Sequence, residues 1–217
     1  SGQQHGFVPL DRAGNVLAPA KLWCDTSTAA ECDLIMDAVG GAQGAIATAG
    51  NPIMVGYTAS KLPWTREHRS QAYAQLATIL LPHDYVNFWL TGERWMERGD
   101  ASGTGWLDVR TRQWSDAMIA ATDRDRDLRP CLPPLVEADA MFPIAAAIAD
   151  ELGLPRGVRV SAGGGDNMMA AIGTGNVSPG VLSMRLGTSG TLFASAGQAL
   201  VDDEGRWAAF CDSTGGW

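Results

Sequence analysis

The sequence predicts an α/β protein in two parts, the first rich in helix and the second rich in strand. Three observations carry this. Apolar residues recur at helical spacing, between caps and stops, through most of the chain up to Leu152. At Pro155-Arg156-Gly157 the texture changes, and short apolar segments at 158–162, 181–186 and 191–195 alternate with glycine-rich turns. The 217 residues, 46% hydrophobic and 18% charged, have globular composition and suffice for two bodies with cores of their own. A domain boundary is therefore placed at Gly157, dividing the chain into 1–157 and 158–217.

In chain order, 7–10 and 16–17 flank Asp11-Arg12-Ala13-Gly14-Asn15 and read as a hairpin, with Pro9 marking an edge or a bulge. Ahead of it, Gln4 and His5 offer neutral donors and acceptors beside Gly6. That suits a polyol ligand, and an ordinary surface-loop histidine as well. Thr28-Ala29-Ala30-Glu31 has capping-box spacing, Cys32, Ile35 and Val39 share a face, and Gly40-Gly41 stops the helix. Trp23 and Asp25 just before it either line a site or serve as core and cap. Residues 44–56, rich in Gly and Ala, read as loop. Helix resumes at 58–62 with Pro63 in its first turn, and again over 66–80 with Tyr73, Leu76, Ile79 and Leu80 as its stripe.

Pro82 introduces a helix over 83–90, with Tyr85, Phe88 and Trp89 on one face and Gly92 as its stop. His83-Asp84 reads as cap and helix start rather than as a catalytic pair, because adjacent helical residues point apart. Residues 99–105 form a second glycine-rich loop before a short strand at 106–109. A helix over 114–121 carries Trp114, Met118 and Ala121 on one side. The charge run 123–127 reads as a solvated turn, Pro130, Pro133 and Pro134 as an extended connector, and 141–152 as an apolar helix.

The stretch Gly163-Gly164-Gly165-Asp166-Asn167 is the most informative. It lies between a strand pattern and the helix-forming run Met168-Met169-Ala170-Ala171-Ile172. Glycines leave room for a ligand beside backbone donors at a helix N-terminus, with one carboxylate at hand. An Asp that only caps the helix is the plain alternative. Downstream, Leu186-Gly187-Thr188-Ser189-Gly190 is either a nest of backbone donors for phosphate or a tight hairpin. No dinucleotide fingerprint, Walker A loop or nucleophile elbow is complete in these segments.

The net charge of −8 and a pI near 4.8 argue against nucleic acid and anionic membrane as partners. Cys24, Cys32, Cys131 and Cys211 form no C-x-x-C pair and share no ligand spacing with the histidines, so no metal ligand is assigned and free cytoplasmic thiols are expected. No apolar run spans a bilayer, and the polar start is unlike a signal peptide. Both ends read as cut from a longer protein.

Six motifs occur in one order: Gln3-Gln4-His5-Gly6, Leu22-Trp23-Cys24-Asp25, Leu81-Pro82-His83-Asp84-Tyr85, Asp100-Ala101-Ser102-Gly103-Thr104, Gly163-Gly164-Gly165-Asp166-Asn167 and Leu186-Gly187-Thr188-Ser189-Gly190. Together they resemble the FGGY carbohydrate kinases over essentially the whole chain, and most closely the members that act on D-xylulose. The resemblance implies the actin-like, hexokinase-like (ribonuclease H-like) fold, a pair of α/β domains around a cleft. It makes 1–157 most of the sugar-binding N-terminal domain and 158–217 the start of the C-terminal domain. It implies Asp166 as catalytic base, Gln4, His5, Asp166 and Asn167 as sugar-binding residues, and Gly187 and Thr188 against the phosphates of ATP. The implied reaction transfers a phosphoryl group from ATP, with Mg2+, to the terminal hydroxyl of D-xylulose. A second copy of the chain is a further candidate partner.

Ribulose, gluconate and glycerol are the alternative acceptors within the family. Glycerol fits least, because the family pattern for it is Arg-Glu where Gln4-His5 stands. A non-catalytic actin-like binding protein is the alternative outside it. The family's first strand with its phosphate loop, and its adenosine-binding part, are not found in this sequence. The segment alone is therefore expected to lack a complete ATP site and to be inactive.

Overall fold

The computed structural model describes residues 1–186 and 190–217. The first half runs β1 (Val8–Leu10), α1 (Ala29–Ala38), α2 (Gly41–Ala49), α3 (Thr58–His68), α4 (Ser70–Gln75), β2 (Thr78–Leu80) and α5 (Pro82–Thr91). It continues with β3 (Met96–Glu97), α6 (Arg98–Ala101), β4 (Leu107–Asp108), β5 (Gln113–Trp114), α7 (Asp116–Thr122) and β6 (Leu135–Val136). The remainder is β7 (Met141–Pro143), α8 (Ala146–Leu152), β8 (Arg159–Ser161), α9 (Asp166–Gly173), β9 (Leu182–Leu186) and β10 (Gly190–Ala194). The strands pair in twos: β1 with β2, β4 with β5, β7 with β8 and β9 with β10 are antiparallel, and β3 with β6 is parallel.

Helices α1, α2, α3 and α7 enclose the main core, in which Ile35, Leu62, Ile79, Leu81, Met96, Leu107 and Met118 are fully buried. Trp106 is also buried there, and its indole N–H donates to Thr122 Oγ1 at 2.9 Å, so its polar atom is not orphaned. The last residues return to this core. Ala209 and Cys211 are buried in it, and the Asn51 side chain both donates to the Ala209 carbonyl and accepts from its N–H, at 2.7 and 2.8 Å. Among the described residues no helix is long and apolar enough to cross a membrane.

Several sequence expectations are corrected here. Of the expected loop over 44–56, residues 44–49 belong instead to α2: Ala45, Ile46 and Ala49 form a buried face, and Gly44 lets the helix pack where a Cβ would stand 1.7 Å from the Val39 carbonyl oxygen. The helix expected over 66–80 breaks at Arg69, and Thr78–Leu80 is a strand because β1 supplies its partner. The expected 7–17 hairpin is present: Leu10 and Val16 bridge antiparallel, Asp11 N–H donates to the Asn15 carbonyl at 3.0 Å and Leu17 N–H to the Pro9 carbonyl at 2.9 Å, while β1 also pairs with β2. Pro63 lies within α3, not in its first turn, and Thr28 bonds Ser60 at 2.9 Å rather than capping α1. Trp114 is in β5, and α7 starts after Ser115, whose hydroxyl caps Met118 N–H. Residues 141–143 are strand because β8 pairs with them, which delays the apolar helix to Ala146. The charge run is a largely exposed bend over 124–127 as expected, except that Asp123 is buried, accepting from Arg66 at 3.0 Å and from the Tyr73 hydroxyl, and anchors its start.

Ile35 joins α1 to the core with no exposed surface. Ile35→Ala is expected to lower unfolding free energy by about 2–5 kcal/mol through lost burial and a residual cavity, measured by urea unfolding.

Candidate functional site

Strand β8 ends at Ser161, and Ala162-Gly163-Gly164-Gly165 leads into α9. Gly163 takes φ of +75°, a conformation open to glycine. At Gly165 a Cβ would lie 2.5 Å from Gln4 Cγ, so the missing side chain is what lets Gln4 lie against the turn. Gly2 bridges to Gly165 in parallel, and Asp166 N–H donates to the Gly2 carbonyl at 2.9 Å. The start of the chain is thereby fastened to the start of α9. Gly165, not Asp166, holds the N-cap position, and no side chain caps the helix. The Asp166 carboxylate is half-buried and, among the described residues, accepts only from the adjacent Asn167 N–H, at 3.0 Å. Asp166 is therefore not the N-cap residue, although its carboxylate satisfies one first-turn N–H.

Gln4, almost fully buried, accepts from Asn167 Nδ2 at 3.3 Å, and its own amide nitrogen lies 3.3 Å from Met168 Sδ. His5 has φ of +63°, which is uncommon outside glycine. Its carbonyl accepts from the Lys61 ammonium and from Thr58 Oγ1. Its ring stacks on Tyr57, with centroids 4.7 Å apart and planes at 20°. Nδ1 lies 2.7 Å from the Gly103 carbonyl, which only accepts, so Nδ1 carries the proton and Nε2 is left as an acceptor. Burial lowers the His5 pKa, against the raising pull of the Gly103 carbonyl and of the charges on Asp100 and Asp166, so the ring is neutral at pH 7. Gly103 is required for this contact, since a Cβ there would stand 2.4 Å from the imidazole.

Two features were missed in the sequence. Lys61 is fully buried with its ammonium on the carbonyls of Gly56 and His5, and burial lowers its pKa to about 8. The only signal was a lysine on the apolar opening of a helix with no acid one turn away. The second is a buried layer behind the glycine turn, made of His83, Asp84, Glu97 and Asp100. His83 Nδ1 lies 2.5 Å from Asp100 Oδ2, and Nε2 lies 3.2 Å from both the Ala162 carbonyl and Asp84 Oδ1. Asp84 does cap α5, accepting from Leu81 N–H at 3.0 Å. Yet its other oxygen meets the neighbouring imidazole, so the expectation that the two side chains diverge is corrected. The buried side of α5 is His83, Asp84 and Asn87, while Trp89, expected on the apolar face, is 43% exposed.

Burial opposes the charge on His83, but Asp84 and Asp100 outweigh it and raise its pKa to about 9. Burial raises both Asp84 and Glu97 to about 7. Glu97 also caps the next turn, accepting from the N–H groups of Gly99 and Asp100 at 2.7 and 3.1 Å. Asp25 pairs with Lys21 at 2.6 Å rather than capping α1, and Trp23 is half exposed rather than core. Gly187 and Thr188 lie outside the described residues.

The fold and this geometry place the chain among the actin-like sugar-kinase folds. Residues 1–173 match the N-terminal domain of the FGGY family of carbohydrate kinases. A xylulose kinase of Haemophilus influenzae is 44% identical over the whole chain, which spans 44% of that relative's length. The crystal structure of a "xyloylose kinase" from Brucella ovis superposes with TM-score 0.89 at 37% identity, covering 98% of this chain and 43% of that one. Xylulose kinase from Bifidobacterium adolescentis superposes with TM-score 0.84 at 28% identity, covering all of this chain and 50% of that one. The chain belongs to the FGGY family of carbohydrate kinases.

Glu97 gives a pH test of the buried layer. Its pKa rises from 4.5 unfolded to about 7 folded, so its contribution to stability is full below 4.5 and is lost as pH rises to about 7. Glu97→Gln keeps an acceptor for the α6 turn and removes the titration. Stability of the wild type relative to this variant is expected to fall between pH 4.5 and 7, read from urea midpoints across that range.

Proposed function

We propose that the protein carrying this chain is a xylulokinase, which transfers the γ-phosphoryl group of MgATP to the terminal hydroxyl of D-xylulose. The observation that supports it best is the seating of Asp166 beside Gln4, His5 and Asn167. A carboxylate outside the N-cap position stands next to neutral groups suited to hydroxyls. The relatives named xylulose kinase favour this acceptor over ribulose, gluconate or glycerol.

In this reading Asp166 takes the proton of the attacking hydroxyl as the oxygen moves in line on the γ-phosphorus. His5 offers Nε2 to a sugar hydroxyl, and its Nδ1 bond to Gly103 fixes the tautomer that does so. Gln4 and Asn167, bonded to each other, hold further hydroxyls. Residues 1–157 supply most of the sugar wall, and the turn carrying Asp166 and Asn167 completes it. Gly187 and Thr188 would face the transferring phosphate, and closure of the two domains would exclude water from it. The reaction belongs in the cytoplasm, where MgATP is plentiful. The 217 residues alone are proposed to be inactive, since the segment spans under half the length of its relatives.

Asp166→Asn in the full-length protein is expected to reduce kcat by about 10²–10⁴-fold, the usual worth of a general base. Sugar affinity should stay within several-fold. A coupled ADP-release assay with D-xylulose, beside sugar titration calorimetry, reads both, and near-normal turnover would remove Asp166 from the role of base.

A further inference from the structure

Two segments distant in sequence form the walls of the proposed site, and both rest on one imidazole. On one side, His83 Nε2 is 3.2 Å from the Ala162 carbonyl, the residue that enters the Gly163-Gly164-Gly165-Asp166 turn. Asn87 Nδ2 donates to the same oxygen at 2.8 Å. Gly163 packs against the ring so closely that a Cβ would lie 3.2 Å from His83 Cδ2. On the other side, His83 Nδ1 is 2.5 Å from Asp100 Oδ2. Asp100 lies in α6, which leads directly into the Ser102–Thr104 turn that brings the Gly103 carbonyl to His5 Nδ1. All these side chains are buried: Asp100 has no exposed surface, His83 has 3% and Asn87 has 8%. A carbonyl and a carboxylate both require a donor, so the ring must carry protons on both nitrogens to satisfy them together. Among the described residues the second oxygens of Asp84 and Asp100 have no hydrogen-bond partner, which leaves the imidazolium as the nearest compensation for buried negative charge.

We infer that His83 is a positioning residue of the kinase: as a doubly protonated ring it ties the turn that carries Asp166 to the turn that orients His5, and so sets the distance between base and sugar. This rests on the xylulokinase reading above. The ring's partners are Asp100, Ala162 and Asp84, none of them among the four residues proposed to meet the sugar; it acts through the two backbone turns that hold Asp166 and His5.

The test uses the full-length protein as wild type, His83→Gln, Asn87→Ala and the double variant His83→Gln/Asp100→Asn. A glutamine amide donates from one nitrogen and reaches Asp100 or Ala162 but not both. In the double variant the cation and its closest carboxylate are both gone, so thermal stability should recover from that of the single variant toward the wild type. Turnover should not recover. With D-xylulose, kcat is expected to stay about tenfold to a hundredfold below wild type in both, the scale of a small misplacement of reacting groups, with KM for MgATP within about twofold.

Amide hydrogen exchange at Gly163 to Asp166 should quicken in His83→Gln and, to a smaller degree, in Asn87→Ala. Asn87→Ala keeps every buried charge and covers the case in which His83→Gln does not fold; its kcat should fall several-fold. Recovery of kcat together with stability in the double variant would make His83 structural only and overturn the inference. So would unaltered kcat and exchange in Asn87→Ala combined with wild-type kcat in His83→Gln. A wild type that phosphorylates no D-xylulose would instead refute the assigned reaction, while the exchange measurement would still decide whether the tie exists.

Discussion

The carbonyl of Ala162 is the point on which the site depends. A backbone acceptor at the end of a strand, away from water, must find a donor, and here two side chains of α5 supply it. That requirement fixes where β8 ends relative to α5. The glycines that follow then have little freedom in how they deliver Asp166 to the start of α9. The Gly2–Gly165 bridge closes the arrangement from the other side and brings Gln4 and His5 to the same place. A few backbone hydrogen bonds thus do what the pairing of large sheets does elsewhere, since every ladder described in this chain joins only two strands.

Half-buried His5 and buried His83 are held in opposite charge states. His5 is surrounded mainly by aromatic rings and a carbonyl, with a buried ammonium on its own backbone, and burial keeps it neutral. His83 is surrounded by carboxylates, and their charge overcomes burial. A neutral imidazole with one nitrogen free is an acceptor for a hydroxyl, whereas a charged one with both nitrogens engaged is a fastener. Concentrating His83, Asp84, Glu97 and Asp100 behind the glycine turn costs desolvation energy, partly relieved where Asp84 and Glu97 hold protons near neutrality. Lys61 is buried as well, its ammonium held by the carbonyls of Gly56 and of left-handed His5.

The parts of the site that could be read from the sequence are those with a local signature. Strand, three glycines, Asp and helix follow one another within 158–173, so Asp166 at a helix N-terminus was legible, and Gln4-His5-Gly6 was legible as a polar turn. The buried layer was not. His83 finds Asp100 17 positions away and Ala162 79 positions away, and no periodicity announces such contacts. The misread elements share that cause. Thr78–Leu80 is a strand only because β1 lies beside it, 141–143 only because β8 does, and α2 is a helix because its alanine face has a core to enter. The motif order, by contrast, carried the family correctly, since it depends on spacing and residue type rather than on knowing each element.

The most direct measurement of the central claim is a crystal structure of the full-length protein with D-xylulose bound. The account requires the terminal hydroxyl within about 2.6–3.2 Å of the Asp166 carboxylate. It also requires other hydroxyls on His5 Nε2 and on the Gln4–Asn167 pair. A sugar seated away from α9, or one turning a different hydroxyl toward Asp166, would contradict it.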